Sequence, residues 1–102
     1  MAHDSSLSVK IAPDVLFRAV GEETVLLNLN TELYLGLDAV GTRMWNAVTS
    51  AINIHAAYDA LLLEYDVEPS RLRGDLDEFL GKLLDQGLIQ IGPAEMPSGV
   101  SR

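Results

Sequence analysis

The sequence contains no cysteine. Disulfide frameworks, thiolate zinc sites, iron–sulfur clusters and thiol nucleophiles are therefore excluded. Histidine is scarce as well, because the chain has only His3 and His55, and His3 lies in a polar N-terminal stretch. A serine–histidine catalytic set or a histidine-based metal site would depend on His55 alone. We expect neither a metal nor a cofactor.

Basic residues are few. Seven lysines and arginines stand against fifteen acidic residues, which gives a formal net charge of −8. A surface of that charge repels a phosphate backbone, so nucleic acid is not an expected partner.

Long apolar runs are absent too. No stretch approaches the roughly 18–20 apolar residues that a membrane-spanning helix needs. The N-terminus has no basic region followed by an apolar run, so we expect no secretory signal and no membrane partner. A cysteine-free chain of this kind fits the cytoplasm.

What remains is a chain of 102 residues, 48% of them hydrophobic, which is enough for one small domain with a compact core. Residues 1–8 are polar, and residues 93–102 contain Pro93, Pro97 and Gly99. We therefore expect a flexible tail over residues 1–8, an ordered domain over 9–92 and a second flexible tail over 93–102.

The first third of the chain has three strand patterns, over residues 15–20, 24–29 and 33–37. Gly21 and Glu22 between the first two suit a type II′ hairpin turn. Extended segments are also expected at residues 9–11 and 88–91. The second pattern has the period of two that is typical of a half-buried strand, in which Val25, Leu27 and Leu29 alternate with Thr24, Leu26 and Asn28.

Three helices follow. Asp38 and Asn53 are the predicted N-caps of the first two, Pro69 suits the first turn of the third, and Gly87 ends it. Trp45 flanks an apolar stripe of the first helix and is expected in the core. These patterns predict an α+β fold in which a three-stranded antiparallel sheet is followed by a three-helix bundle, compatible with a winged helix-turn-helix.

Catalytic apparatus is hard to find in this sequence. His55 has no serine or carboxylate at a spacing that indicates a catalytic set. The acidic run of the third helix (Asp75, Asp77 and Glu78) alternates with basic residues, which is typical of a solvated helix face. We therefore expect that the chain is not an enzyme.

Tyr34 is a different kind of candidate. It points away from the face formed by Leu33, Leu35 and Leu37, on the same side as Gly36. If this strand is a sheet edge, its unpaired backbone is a template for another strand, and Tyr34 would lie beside the incoming chain. An ordinary exposed strand tyrosine is the alternative.

Two segments resemble the PqqD-like family. Residues 25–45 (VLLNLNTELYLGLDAVGTRMW) are similar to its strand–turn–strand pattern, which ends in a Gly-Leu pair and continues into a helix with a tryptophan. Residues 75–89 (DLDEFLGKLLDQGLI) are similar in their aspartate, Phe-Leu pair and Gly-Leu ending. The resemblance covers residues 9–91.

This resemblance implies a winged helix-turn-helix recognition element for ribosomally made, post-translationally modified peptides. Such domains are non-catalytic adaptors that bind the leader of a precursor peptide and deliver it to a separate enzyme, often a leader peptidase or a radical enzyme. In the family the leader adds a strand to the edge of the third strand and lies against the third helix. A free-standing domain of this length is similar to the lasso-peptide version, whose partner is a leader peptidase of transglutaminase-like type.

A groove between the third strand and one flank of the third helix would offer backbone hydrogen bonds and side-chain pockets together. We choose the flank on which an aromatic ring lies between opposite charges. The predicted peptide-binding residues are Leu33, Tyr34, Leu35, Gly36, Arg71, Asp75, Phe79 and Lys82. The opposite flank, with Arg73, Asp77, Leu80 and Leu84, remains an alternative.

A DNA-binding transcriptional regulator is the second function considered, because winged helix-turn-helix domains commonly bind DNA. Its recognition helix should be basic, whereas residues 70–86 carry three basic residues against four acidic ones.

Overall fold

A computed structural model describes residues 4–93 of the chain. It contains five strands and three helices in these residues. In chain order they are β1 (Ser8–Ile11), β2 (Val15–Val20), β3 (Glu23–Asn28), β4 (Leu33–Leu37), α1 (Ala39–Ser50), α2 (Ile54–Glu64), α3 (Pro69–Asp85) and β5 (Ile89–Gly92). The predicted α+β arrangement, with a three-stranded antiparallel sheet and three helices, is confirmed.

The three-stranded sheet has the order β2-β3-β4, so the predicted third strand is β4. Gly21, with φ 64°, occupies the turn between β2 and β3, where its missing Cβ makes a positive φ inexpensive. The register places Leu16, Leu27 and Tyr34 in one row across the sheet, and Arg18, Val25 and Gly36 in the next. These two rows lie on the face that points away from the helices, which we call the outer face.

The inner face of the sheet differs from what hydrophobicity alone favours. Thr24, Leu26 and Asn28 are the buried residues of β3, although Val25, Leu27 and Leu29 form the more apolar set. Leu26 is fully buried because it lies in the row of Phe17 and Leu35, beneath α1. The apolar alternate set is therefore left on the outer face.

β1 and β5 form a separate two-stranded sheet that pairs Val9 with Ile91 and Ile11 with Ile89. Both segments were predicted to be extended, but their pairing was not predicted. The ordered chain also begins before residue 9. The carbonyl oxygens of Ser5 and Leu7 accept hydrogen bonds from the first amides of α2 at 2.9 Å each.

These contacts place Ser5 and Leu7, which fall within the expected tail over residues 1–8, against the start of α2, where their carbonyl oxygens satisfy backbone donors that would otherwise lack partners. Residues 1–3 and 94–102 lie outside the described residues, so the rest of the two expected tails stays a prediction.

The predicted helix ends are confirmed. Asp38 Oδ1 accepts from the Gly41 amide and Asn53 Oδ1 from the Ala56 amide, both at 2.8 Å. Pro69 begins α3. Gly87, with φ 71°, ends it in a Schellman motif, in which the Leu88 amide donates to Leu83 and the Gly87 amide to Leu84.

Trp45 lies at the centre of the core, with 1% of its surface exposed, as predicted. Its ring meets the Phe17 ring edge to face, with centroids 5.7 Å apart. Leucines of α2, α3 and β3 complete the fully buried set, which includes Leu26, Leu61, Leu76, Leu80 and Leu83. Within residues 4–93, no helix combines the length and apolarity needed to cross a bilayer.

Candidate peptide-binding site

The β4 strand is an edge of the three-stranded sheet. Among the described residues it pairs with β3 alone, through the register from Thr24 opposite Leu37 to Asn28 opposite Leu33. About half of the backbone N–H and C=O groups of such a strand point away from the sheet and can pair with another extended chain.

The side chains of β4 alternate between two environments. Leu35 is half-buried and packs against the core, whereas Tyr34 projects from the outer face with 71% of its surface exposed. A Cβ at Gly36 would meet no atom within 4 Å. A strand added at this edge would therefore lie beside the apolar Leu35 on the inner face of the sheet. On the outer face it would lie beside the exposed Tyr34 and the open space at Gly36.

The predicted helix residues lie at different depths on α3. Phe79 is half-buried and packs against the same core as Leu35. Arg71, Asp75 and Lys82 are exposed, because helical spacing puts them farther around α3 from its buried stripe. Among the described residues, no hydrogen bond or ion pair joins these α3 side chains to β4. Leu35 and Phe79 thus pack against one core, and the predicted charged residues all belong to α3.

The alternative flank of α3 has neighbours of its own. The Arg73 guanidinium lies 4.8 Å from the centroid of the Tyr58 ring, and its Nη1 lies 3.5 Å from the Ser5 hydroxyl oxygen. Arg73 on this flank therefore faces α2 and the N-terminal segment.

Asn28 links the β3–β4 turn to the end of α3 and was not among the predicted site residues. Its side chain is buried; Nδ2 donates to the carbonyl of Gln86 at 3.0 Å and lies 3.4 Å from that of Gly87. Its Oδ1 accepts from the amides of Asn30 and Thr31 in the β3–β4 turn. One side chain thus fastens the start of β4 to the end of α3. The sequence signal for it is an asparagine on the same strand face as Leu26.

Histidine and charged side chains away from this edge make contacts of a structural kind. The exposed His55 Nε2 lies 3.2 Å from Asp59 Oδ2, one helical turn away. Within the part of the chain that the structure describes, no three histidine or acidic side chains are grouped to hold a metal ion. A cleft of about 530 Å³ lies between the β2–β3 turn and helices α1 and α2, and the exposed Arg43–Glu64 ion pair, at 3.1 Å, lines it.

Tyr65 lies close to that ion pair. Its hydroxyl is buried and meets no hydrogen-bond partner among the described residues. Burial raises the pKa of this phenol because the charged phenolate is poorly solvated there, and the nearby Arg43 guanidinium opposes the effect in part.

Comparison with known proteins agrees with this geometry. The family model described as "Coenzyme PQQ synthesis protein D (PqqD)" matches residues 23–89, which include β3, β4 and all three helices. No curated protein matches the chain. Among solved structures, the chain is similar to TbiB1 in complex with the TbiA(beta) leader peptide.

That similarity has a TM-score of 0.75 and 36% sequence identity, and it covers 79% of this chain and 94% of TbiB1. The family model covers more than half of the chain, from the second strand of the sheet to the end of the third helix. The chain belongs to the PqqD family.

Proposed function

We propose that this domain binds the leader segment of a ribosomally synthesised precursor peptide by adding it as a fourth strand at the β4 edge. The observation that carries the proposal is that β4, which carries the half-buried Leu35, pairs on one side only among the described residues. We assign Phe79 of α3 to the same site because it is half-buried against the same core as Leu35. Family membership and the similarity to a leader-bound TbiB1 support it.

The binding free energy shows which contacts the site must provide. A strand added to five residues gains roughly four to six ladder hydrogen bonds, each worth about 1 kcal/mol net. Micromolar affinity corresponds to about 8 kcal/mol. Backbone pairing alone therefore falls short, and apolar side chains of the leader must be buried against Leu35 and Phe79. Binding by this site depends on both the edge and the helix wall.

In this proposal the domain is a non-catalytic adaptor. It presents the bound leader to a separate enzyme, a leader peptidase or another modifying enzyme, in a setting similar to lasso-peptide biosynthesis. The absence of cysteine supports a role in binding without chemistry of its own, as does the exposed position of His55, whose ion-pair partner is Asp59 one turn along the same helix. The predicted peptide-binding residues on β4 and α3 are part of the same proposal.

The winged helix-turn-helix arrangement is likewise proposed, with the β2–β3 hairpin as the wing and α3 as the helix that faces the ligand. DNA is a poor ligand for that helix, because α3 carries three basic residues against four acidic ones in a chain of net charge −8. A gel-shift assay on duplex DNA at low salt should show no binding.

Strand addition can be tested through the backbone of the peptide. The probes are the TbiA(beta) leader and the leader of the precursor encoded beside this chain, each N-methylated at one amide at a time. Methylation of amides that face β4 should weaken binding about tenfold or more, and methylation of the alternate amides should change it little. An effect without this period of two, or no binding of either leader, would contradict the proposal.

Two pairs of variants locate the site on the protein. Tyr34→Asp should weaken leader binding, whereas Leu63→Asp, at a position that is 91% exposed on α2, should not. Phe79→Ala should weaken binding more than Leu84→Ala on the opposite flank of α3. Fluorescence anisotropy with a labelled leader measures all four. Equal effects of Phe79→Ala and Leu84→Ala would exclude the chosen flank.

A further inference from the structure

The outer face of the three-stranded sheet is apolar and uncovered in the described structure. Leu16, Leu27 and Tyr34 lie side by side across all three strands, and Val20 and Val25 extend the surface. Leu16 and Val20 are each 56% exposed. These side chains line a shallow depression of about 600 Å³. Single exposed apolar residues such as Leu63 are common, but a contiguous patch across three strands is typical of a protein interface.

Arg18 gives this surface a specific chemistry. It lies between the apolar rows, opposite Val25, and it makes no ion pair with any described residue, although Glu23 lies two positions from Val25 on the same face of β3. Arginine and tyrosine within an apolar patch are the residues that most often dominate the binding energy of protein interfaces. A partner surface complementary to this one is apolar and carries a carboxylate that can pair with Arg18.

A second copy of this chain is a poor partner for the outer face. Each chain has a net charge of −8, so two copies repel one another. A different protein is therefore the better partner for the outer face, and the position of this face beside β4 indicates which protein it is. A leader added at β4 continues the rows of the sheet, so its outward-facing side chains lie beside Tyr34 and Gly36 and enlarge the same surface.

We propose that the outer face, defined by Leu16, Arg18, Val20, Val25, Leu27 and Tyr34, is the docking surface for the enzyme that acts on the bound precursor. This inference rests on the proposed function and adds where the enzyme binds. Because the leader supplies part of the surface, the enzyme binds the leader-loaded domain more tightly than the empty domain.

The test measures two affinities for each variant. One is that of the labelled leader for the domain, and the other is that of the leader-processing enzyme encoded beside this chain, measured by biolayer interferometry with and without leader. Leu16→Ser is matched by Leu63→Ser, which removes an exposed leucine elsewhere. Arg18→Gln is matched by Asn46→Asp, which changes the net charge equally at an exposed position of α1.

Leu16→Ser and Arg18→Gln should each weaken enzyme binding at least fivefold, with leader affinity unchanged within twofold, and both controls should behave as wild type. Leader should strengthen enzyme binding severalfold. Unchanged enzyme binding in both outer-face variants, with leader binding intact, would overturn the docking surface alone. Loss of leader binding in the wild type would overturn the proposed function instead. A dimer that Leu16→Ser dissociates in sedimentation velocity would identify a second copy as the occupant and also overturn the inference.

Discussion

Replacing Asn28 with alanine should both destabilise the domain and loosen its site, because this side chain fixes the β3–β4 turn to the end of α3. It makes two acceptor contacts to turn amides, at 2.9 and 3.3 Å, and two donor contacts to α3 carbonyls, at 3.0 and 3.4 Å. Alanine removes all four and leaves buried polar groups without partners.

The expected loss follows from those contacts. A hydrogen bond contributes about 1 kcal/mol net, and the contact at 3.4 Å contributes little. Three effective bonds at a buried site give a decrease of about 2–4 kcal/mol in the free energy of unfolding. For a domain whose total is on the order of 5–15 kcal/mol, the variant still folds but is measurably less stable. The affinity of the variant for the leader should also fall, because β4 and α3 are no longer fixed relative to one another.

Urea denaturation followed by the fluorescence of the buried Trp45 measures this change, provided that the slope m stays constant. Asn46→Ala, at an exposed helical position, is the matched control and should change stability by less than about 0.5 kcal/mol. Asn28→Asp sharpens the test, because the new carboxylate faces two carbonyls at the negative end of α3. Its destabilisation should lessen as the pH falls and the carboxyl is protonated. An Asn28→Ala variant as stable as Asn46→Ala would refute the reasoning.

Three further changes test individual features of the fold. Trp45→Ala should cost about 3–5 kcal/mol, measured by circular dichroism during urea unfolding, because a fully buried ring is lost. Gly87→Ala should cost about 1–2 kcal/mol, because φ is 71° and a Cβ would lie 3.0 Å from Asn28 Nδ2. Tyr65→Phe should leave stability unchanged or raise it by about 1 kcal/mol, because the lost hydroxyl has no partner. Since the folded state raises the pKa of Tyr65, wild-type stability should fall above pH 10 as the unfolded phenol ionises, and Tyr65→Phe should fall less.

The helix ends were predictable because each is fixed by local chemistry. Asp38, Asn53, Pro69 and Gly87 act within three residues of their own positions, so their residue types alone indicate what they do. The strand boundaries were also predictable to within one residue, since turn residues separate the apolar runs.

The faces of β3 were harder to predict, since both of its alternate sets contain leucine. Which set is buried depends on α1, whose Trp45 and Met44 cover the side that carries Leu26. The polar Thr24 and Asn28 become buried with it, and Asn28 acquires partners 58 residues away in the chain. The same choice leaves Val25 and Leu27 on the outer face. A local sequence pattern does not identify the partners of contacts at this range, and the β1–β5 pairing was missed for the same reason.

In the proposed function, the β4 edge accepts a peptide and must do so without pairing with a second copy, since free edges also promote aggregation. Two β4 strands paired antiparallel about Leu35 would place Glu32 of one copy beside Asp38 of the other, at both ends of the ladder. Both residues are exposed, and each copy adds a net charge of −8. Like charges at both ends of a five-residue ladder disfavour self-pairing, whereas a peptide with neutral or basic residues at those positions meets no such repulsion. The charges that flank β4 therefore disfavour pairing of two copies at this edge and leave it available to the proposed peptide.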